Sequence, residues 1–301
     1  MNKPIRMRRD VSDVLLDVFI YTFLFAVTVG TLYPFLNVLA ISFNESVDTV
    51  RGGITIFPRS LTLENYRLIF SYPGLLTGLK ISILRTVIGT ALGVGSAAML
   101  AYVLSRVDFQ ARRFLSTYLA LTMYVSGGMI PVYILFRDLN LLGTFEVYVL
   151  PGLVSAFNVF IVRSFIDGLP FEMQESAMID GASDFRIFWR IILPLLKPSL
   201  ATIALFLAVG QWNSWFDTYL YNGSEPSLTT LQFELMKVLQ TTQPGGGTNP
   251  NDRNVTEQLL RVSPESVKMA ITVVVTMPIL VVYPFLQRYF VKGMTLGAVK
   301  S

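Results

Sequence analysis

Aromatic, amide and acidic side chains crowd one short stretch of this chain. Trp212, Asn213, Trp215, Asp217 and Tyr219 lie close together, directly after Gln211. Aromatic faces pack on the C–H faces of sugar rings, and nearby amides or carboxylates bind hydroxyls, so this combination suits a path for a carbohydrate. The plainer reading is an aromatic belt at a membrane interface with hydrogen bonds between helices. Residues such as Gln211 and Asn213 are costly against lipid, so they face protein or water. Tyr124 and Asn158 are further candidates for the path, with packing as their ordinary role. Lys80 and Arg85 form a cationic pair that would attract an acidic sugar. Snorkelling to the interface, or pairing with a neighbouring subunit, is the favoured alternative for them.

Much other chemistry is excluded. The 301 residues contain no Cys and no His, which removes disulfides, thiolate metal sites, Cys nucleophiles and His general bases. No acid–base pair falls within an apolar run, so a membrane enzyme has no support. The phosphate-binding pattern G-x-x-x-x-G-K-[ST] is absent. Gly93-x-Gly95 is no dinucleotide fingerprint, because no strand precedes it. Gly89-x-x-x-Gly93, followed by Gly95, Ser96, Ala97 and Ala98, instead makes a smooth helix surface for close packing.

The elements that must carry these residues are long apolar helices. Hydrophobic residues make up 52% of the chain and charged residues 15%, well below the roughly 25% charged content of soluble domains. Runs long enough to cross about 30 Å of hydrocarbon recur over Val14–Ser42, Leu79–Leu104, Phe114–Phe136, Phe145–Phe165, Pro198–Tyr221 and Val267–Phe290. The sequence therefore predicts an all-α polytopic membrane protein with six transmembrane helices. Barrel strands would show short segments of alternating polarity instead. The first run is too long for a cleaved signal and reads as a retained span. Lys and Arg are more numerous at the amino terminus (Lys3, Arg6, Arg8, Arg9), after the second and fourth runs, and near the carboxyl end. The positive-inside rule then puts both termini in the cytoplasm. The chain divides into an amino terminus (1–13), a first span with its external loop (14–78), a core (79–291) and a cytoplasmic tail (292–301). The core includes an external loop at 222–264, polar and glycine-rich around Gly245–Gly247 and so read as flexible.

Segment 167–194 differs from the other loops. It is amphipathic, lies on the cytoplasmic side and is bounded by Pro170 and Pro194. Pro170 suits a first helical turn, and Glu172 and Glu175 sit favourably near the positive end of the helix dipole. Gly181 permits a bend. A second short helix carries Phe185, Phe188 and Trp189 and is expected to stop at Pro194. An amphipathic helix lying on the membrane surface is the alternative, but five acidic residues between Asp167 and Asp184 argue against an anionic leaflet.

Glu175-Ser-Ala-Met-Ile-Asp-Gly181-Ala, followed by Ile191-Ile-Leu-Pro194, resembles the Glu-Ala-Ala loop of binding-protein-dependent ABC importer permeases. Ser176 departs from the family's Ala, a small-for-small replacement. Gly127-Gly128-Met-Ile-Pro131, Leu-Pro151-Gly152, Ser155-Ala156-Phe157-Asn158, Trp212-Asn213-Ser214-Trp215 and Phe290-Val-Lys-Gly293-Met-Thr-Leu-Gly297 resemble the carbohydrate-uptake branch of that family. Closest are its complex-oligosaccharide and lipoprotein-type subunits, which are maltose-permease-like. The resemblance implies the type I importer permease fold with a cytoplasmic coupling helix. Small residues Ser176, Ala177, Gly181 and Ala182 would let an ATPase approach closely, and Glu172, Glu175 and Asp180 would supply polar contacts. It further implies a second homologous permease, two ATP-binding subunits that hold ATP and Mg, an external solute-binding protein and an oligosaccharide substrate, with no nucleic acid and no cofactor or metal in this chain. A non-sugar solute such as a peptide is one alternative. An ion-coupled secondary transporter is another, and it would show mid-span carboxylates, whereas Glu146 and Asp217 lie towards span ends.

Overall fold

The computed structural model describes residues 11–241 and 264–298. The basic cluster before Val11, the glycine-rich run 245–247 and Lys300 lie outside them. Among the described residues every regular element is helical, and the sole extended feature is an isolated antiparallel bridge between Asn44 and Leu61. Two compact units emerge: Met1–Ser71 with Thr241–Val274, and Tyr72–Gln240 with Val275–Ser301.

In the first unit, α1 (Val11–Ser42) is apolar on all sides and exposes its large side chains as far as Leu39. A helix of that length and composition needs lipid or another helix around it. Thr28 and Thr31 donate their hydroxyls to the carbonyls of Leu24 and Val27 at 2.7 and 2.8 Å, so neither brings an unpaired polar group into hydrocarbon. The following segment, with α2 (Ser46–Thr49) and α3 (Glu64–Phe70), is ordered by side-chain amides. Asn65 donates to the carbonyls of Ser42 and Asn44, and Asn44 Oδ1 accepts from the backbone N–H groups of Arg59 and Ser60.

The second unit is built around α4 (Pro73–Ser105). It is followed by α5 (Arg112–Tyr124), α6 (Met129–Asp138), two 3₁₀ turns at Glu146–Tyr148 and Leu150–Gly152, and α7 (Ala156–Asp167). Then come α8 (Glu172–Ile179), α9 (Asp184–Ile187), a π-helical turn (Phe188–Ile192), α10 (Leu193–Leu195) and α11 (Lys197–Asn213). The unit continues with α12 (Phe216–Asn222) and α13 (Leu231–Thr241), and α14 (Pro264–Ala298) begins in the first unit and ends in this one. Its core joins α4, α7, the 187–196 stretch and α11 through Ala97, Ala101, Val159, Val162, Ile192 and Ile203. The glycine spacing on α4 does the packing expected of it: a Cβ at Gly89 would meet Gln211 Nε2 at 2.8 Å, and one at Gly93 would meet Leu207 Cδ1 at 3.0 Å.

Three expected spans are not continuous. Among the described residues, three helices are long and apolar enough to cross a membrane, and up to six crossings result if each bent pair counts as one. The third run breaks between α5 and α6 at 118°, where Gly128 takes a φ of +85° that a side-chain-bearing residue disfavours. The fourth begins as 3₁₀ turns around Pro151-Gly152 and bends by 49° before α7. The fifth ends its main helix at Asn213 and restarts at Phe216. Pro194 does not stop the helix after Trp189. The π turn carries the chain through it to Leu195, and the bend of 78° falls just after, before α11. The wider π turn just before the proline relieves the clash its ring would make with the preceding helical turn, which is why the chain passes.

Candidate solute path and coupling segment

The break at Ser214–Trp215 leaves a helix C-terminus and a helix N-terminus facing each other inside the second unit. Carbonyls at the first carry partial negative charge and N–H groups at the second carry partial positive charge. An ion pair meets both. Arg85, on α4, donates from Nη1 to the Ser214 carbonyl at 3.3 Å and to Asp217 Oδ1 at 3.2 Å, and its Nη2 also contacts Asp217 Oδ2. Asp217, in the first turn of α12, additionally accepts from the Thr218 N–H at 2.8 Å. Arg85 Nε donates to Gln211 Oε1 at 3.1 Å, Gln211 Nε2 donates to the Tyr148 carbonyl at 3.2 Å, and the guanidinium lies 4.4 Å from the centre of the Tyr148 ring. The Arg85 side chain is 2% exposed and that of Asp217 23%. Arg85 thus neither snorkels nor awaits a neighbouring subunit: its partner is in its own chain. Sequence reasoning missed this because the two residues stand far apart in the chain, with no local spacing to join them. Lys80, one and a half turns earlier on α4, is exposed.

The other expected path residues separate into two groups. Trp215 and Tyr219 come together with Phe216, ring centres 5.6 to 6.5 Å apart, and Tyr219 reaches Phe233 on α13 at 6.3 Å. Tyr219 is 60% exposed. Phe216 and Phe233 are functional candidates that the sequence reasoning above misses, although the i, i+4 spacing of Trp215 and Tyr219 is the signal for an aromatic face. Trp212 points elsewhere: it is buried and donates Nε1–H to the Val275 carbonyl at 3.0 Å, a packing role. Asn158 is buried in α7, Asn213 is exposed at the end of α11, and Tyr124 stands 87% exposed at the end of α5.

α13 is fixed at its start. A Cβ on Gly78 would meet the Leu231 N at 3.0 Å, Ser82 Oγ accepts the Leu231 N–H at 2.9 Å, and the hydroxyls of Thr218 and Thr230 lie 2.9 Å apart. The buried carboxylate of Glu234 is met by the hydroxyls of Tyr72 and Thr229 and by Lys237. Part of the 222–264 loop is therefore an ordered platform next to the aromatic face.

Segment 167–194 is the second feature. α8 ends in a reciprocal cap: the Gly181 N–H donates to the Met178 carbonyl and the Ala182 N–H to the Ala177 carbonyl, both at 2.9 Å, with Gly181 at a φ of +75°. This is the Schellman arrangement, for which glycine suits the left-handed position. Ala177, Met178 and Ala182 turn inward and pack on the core. The outer face holds Glu172, Glu175, Ser176, Asp180 and Gly181, together with apolar side chains unusual for solvent, among them Ile179 at 82% exposed, Phe185 and Trp189. The segment is anchored by Arg106, whose Nη2 lies 3.3 Å from Asp184 Oδ1 and 3.0 Å from Asp108 Oδ2. The hydrogen bond from Arg106 holds the Asp108 carboxyl below its ordinary range.

Broken apolar spans around an internal ion pair, with a helical segment presenting an acidic and apolar face, define a membrane transport component rather than an enzyme. Residues 89–296 match the family of binding-protein-dependent transport system inner membrane components, and the chain belongs to that family. Membership sets aside the ion-coupled secondary transporter. Protein LplC of Bacillus subtilis (strain 168) is 40% identical over 289 residues, 95% of each chain. The polygalacturonan/rhamnogalacturonan transport system permease protein YtcP of the same organism is 36% identical, covering 95% of this chain and 99% of its own. A solved bacterial ABC transporter that imports the acidic polysaccharide alginate contains a chain superposing with a TM-score of 0.84 at 27% identity, over 94% of this chain and 99% of that one.

Proposed function

We propose that this chain is one of two homologous permease subunits of an ATP-driven importer for oligosaccharides. The partner permease would complete the path, two ATP-binding subunits would hold ATP and Mg, and an external binding protein would deliver the solute. No nucleotide, metal or cofactor is assigned to this chain. In this reading both termini and segment 167–194 lie in the cytoplasm, the chain crosses six times, with α5 and α6, the 3₁₀ turns and α7, and α11 and α12 each making one crossing, and α13 lies outside. The observation that carries the coupling role is the outer face of α8 and α9. Glu172, Glu175 and Asp180 alternate with Ile179, Phe185 and Trp189 on a segment that is capped and anchored, so a protein partner gains apolar area without having to order the segment first. The small side chains of Ser176 and Gly181 leave room for close approach. Ala177 and Ala182 serve from beneath, by seating the helix. ATP-driven closure of the ATPases would move this segment as a rigid body and alternate the access of the path.

The aromatic face of Trp215, Phe216 and Tyr219, with Asp217 behind it, suits sugar rings, and the substrates named for YtcP, polygalacturonan and rhamnogalacturonan, and for the solved importer, alginate, are polysaccharides. Oligosaccharides containing uronate residues are therefore the first class to test, with neutral ones as the comparison. The complex should show ATPase activity stimulated by binding protein loaded with such oligosaccharides, and deleting residues 175–182 should abolish association of the ATPase. A complex stimulated by peptides and by no saccharide, or an ATPase that stays bound after the deletion, would overturn the proposal.

A further inference from the structure

We infer that Arg106 is a positioning residue that locks the coupling segment to α4, making them one body that carries motion from the ATPase to the ion pair at the broken span. The inference rests on the coupling role proposed above. Arg106 directly follows the last residue of α4, and its guanidinium gathers three separate pieces of chain. It bonds Asp108 in the turn after α4, pairs with Asp184 at the start of α9, and meets Met178 Sδ near the end of α8 at 4.0 Å. One turn back, Tyr102 adds an independent tie: its hydroxyl donates to the Asp184 carbonyl at 3.4 Å and its ring lies 5.3 Å from that of Phe188. Both ends of the bend at Gly181 are therefore held by the same helix.

The other end of that helix carries the second half of the argument. Arg85 and Arg106 are separated by about 32 Å of α-helix at 1.5 Å per residue. Between them the Gly89 and Gly93 contacts press α4 onto α11. A displacement of the coupling segment thus reaches Asp217 and the aromatic face along a single helix, with no loop between to absorb it. Arg106 Nη1 is buried and has no acceptor among the described residues. An unsatisfied buried charged donor is costly, so the node has a spare bond to form when the segment shifts.

The chain's lack of Cys allows a direct test. Spin labels introduced by Leu76→Cys at the outer end of α4 and Arg190→Cys in the coupling segment, past α9, report whether the two move together in the assembled complex. With Arg106 intact, the distance between labels should stay the same when ATP with vanadate traps the ATPases. In R106A it should shift and broaden by several ångströms on trapping, and R106K should restore most of the wild-type distribution. In proteoliposomes, with a mixture of oligogalacturonates and malto-oligosaccharides as probe, solute carried per ATP hydrolysed should fall at least about fivefold in R106A, the scale of a typical coupling free energy, while ATPase still co-purifies. D184N attacks the same contact from the other side and should act in the same direction if R106A does not fold. A wild-type distance that changes on trapping, or an R106A distance that does not, overturns the inference. Loss of ATPase co-purification in wild type would instead sink the functional reading beneath it.

Discussion

Removing Arg85 tests whether the break in the fifth span is held by charge. Deleting one partner of a buried ion pair costs about 3–5 kcal/mol, chiefly because the other is left uncompensated. The two sides are unequal here. R85A strands Asp217, which at 23% side-chain exposure can recruit water, so the loss should fall near the lower end, about 3 kcal/mol. D217A strands a guanidinium that is 2% exposed. Its bonds to Gln211 and the Ser214 carbonyl are dipolar and do not neutralise it, so the loss should approach about 5 kcal/mol. The double variant R85A/D217A strands no charge, so it should lose less stability than D217A alone and far less than the roughly 8 kcal/mol sum of the singles. Unfolding of the purified chain in mixed detergent and SDS micelles, followed by the fluorescence of its three tryptophans, Trp189, Trp212 and Trp215, measures all three variants. If R85A unfolds with wild type, or the double variant equals the sum, the pair is not what holds the break.

Backbone contact makes Gly78 far less replaceable than Gly95. G78A should destabilise by about 1–3 kcal/mol, the ordinary cost of overpacking, whereas G95A, whose Cβ meets nothing within 4 Å, should be neutral or mildly stabilising; thermal melts of the two compare them directly. On the outer face of the coupling segment, E175R and I179D should each reduce ATPase co-purification at least about tenfold, since such central contacts commonly contribute over 1 kcal/mol, and leave the chain's own melting point unchanged. Bonds from Asn44 first, then from Arg59, hold the Asp48 carboxyl below its ordinary range. A depressed folded value means the stabilisation is complete above the ordinary carboxylate range and is lost as pH falls through the lowered value. Amide exchange over residues 44–65 should therefore quicken only in that acid window, and D48N should remove the pH dependence.

Membership of the α class, the first, second and last apolar helices and the capped helix of segment 167–194 were legible because each is written locally. Val14–Ser42 is apolar throughout, and Glu175–Ala182 carries both its acidic first turn and its glycine cap in sequence. The breaks were harder to see. Gly127-Gly128 and Pro151-Gly152 stand out as motifs, yet hydropathy averages across them, and at the first a single glycine with a positive φ turns the chain. Arg85 shows what a sequence withholds: a cation near a span end looks like one that snorkels, and only folding brings Asp217, from a distant helix, against it. Ala177 and Ala182 make the same point at short range. Their size suggests an open docking surface, but the Schellman turn points them at the core and gives the outer face to Ile179 and Asp180.

Neutralising Arg85 bears on the charge of the solute. With Asp217 bound to it, the site behind the aromatic face carries no net charge, so Arg85 offers an acidic sugar little attraction. Lys80 is exposed on the amino-terminal half of α4, outside the ion pair. An exposed cation contributes about 1 kcal/mol to a carboxylate some 4 Å away in water, a factor of about five in affinity, and added salt screens it. K80Q should therefore raise the KM for uronate oligosaccharides about two- to fivefold, with the difference disappearing at high salt, while leaving kcat and neutral oligosaccharides untouched. Uptake of both classes, measured at low and high ionic strength in the same proteoliposomes, decides the matter. Equal loss for neutral and acidic solutes would mean that Lys80 shapes the path and does not read its charge.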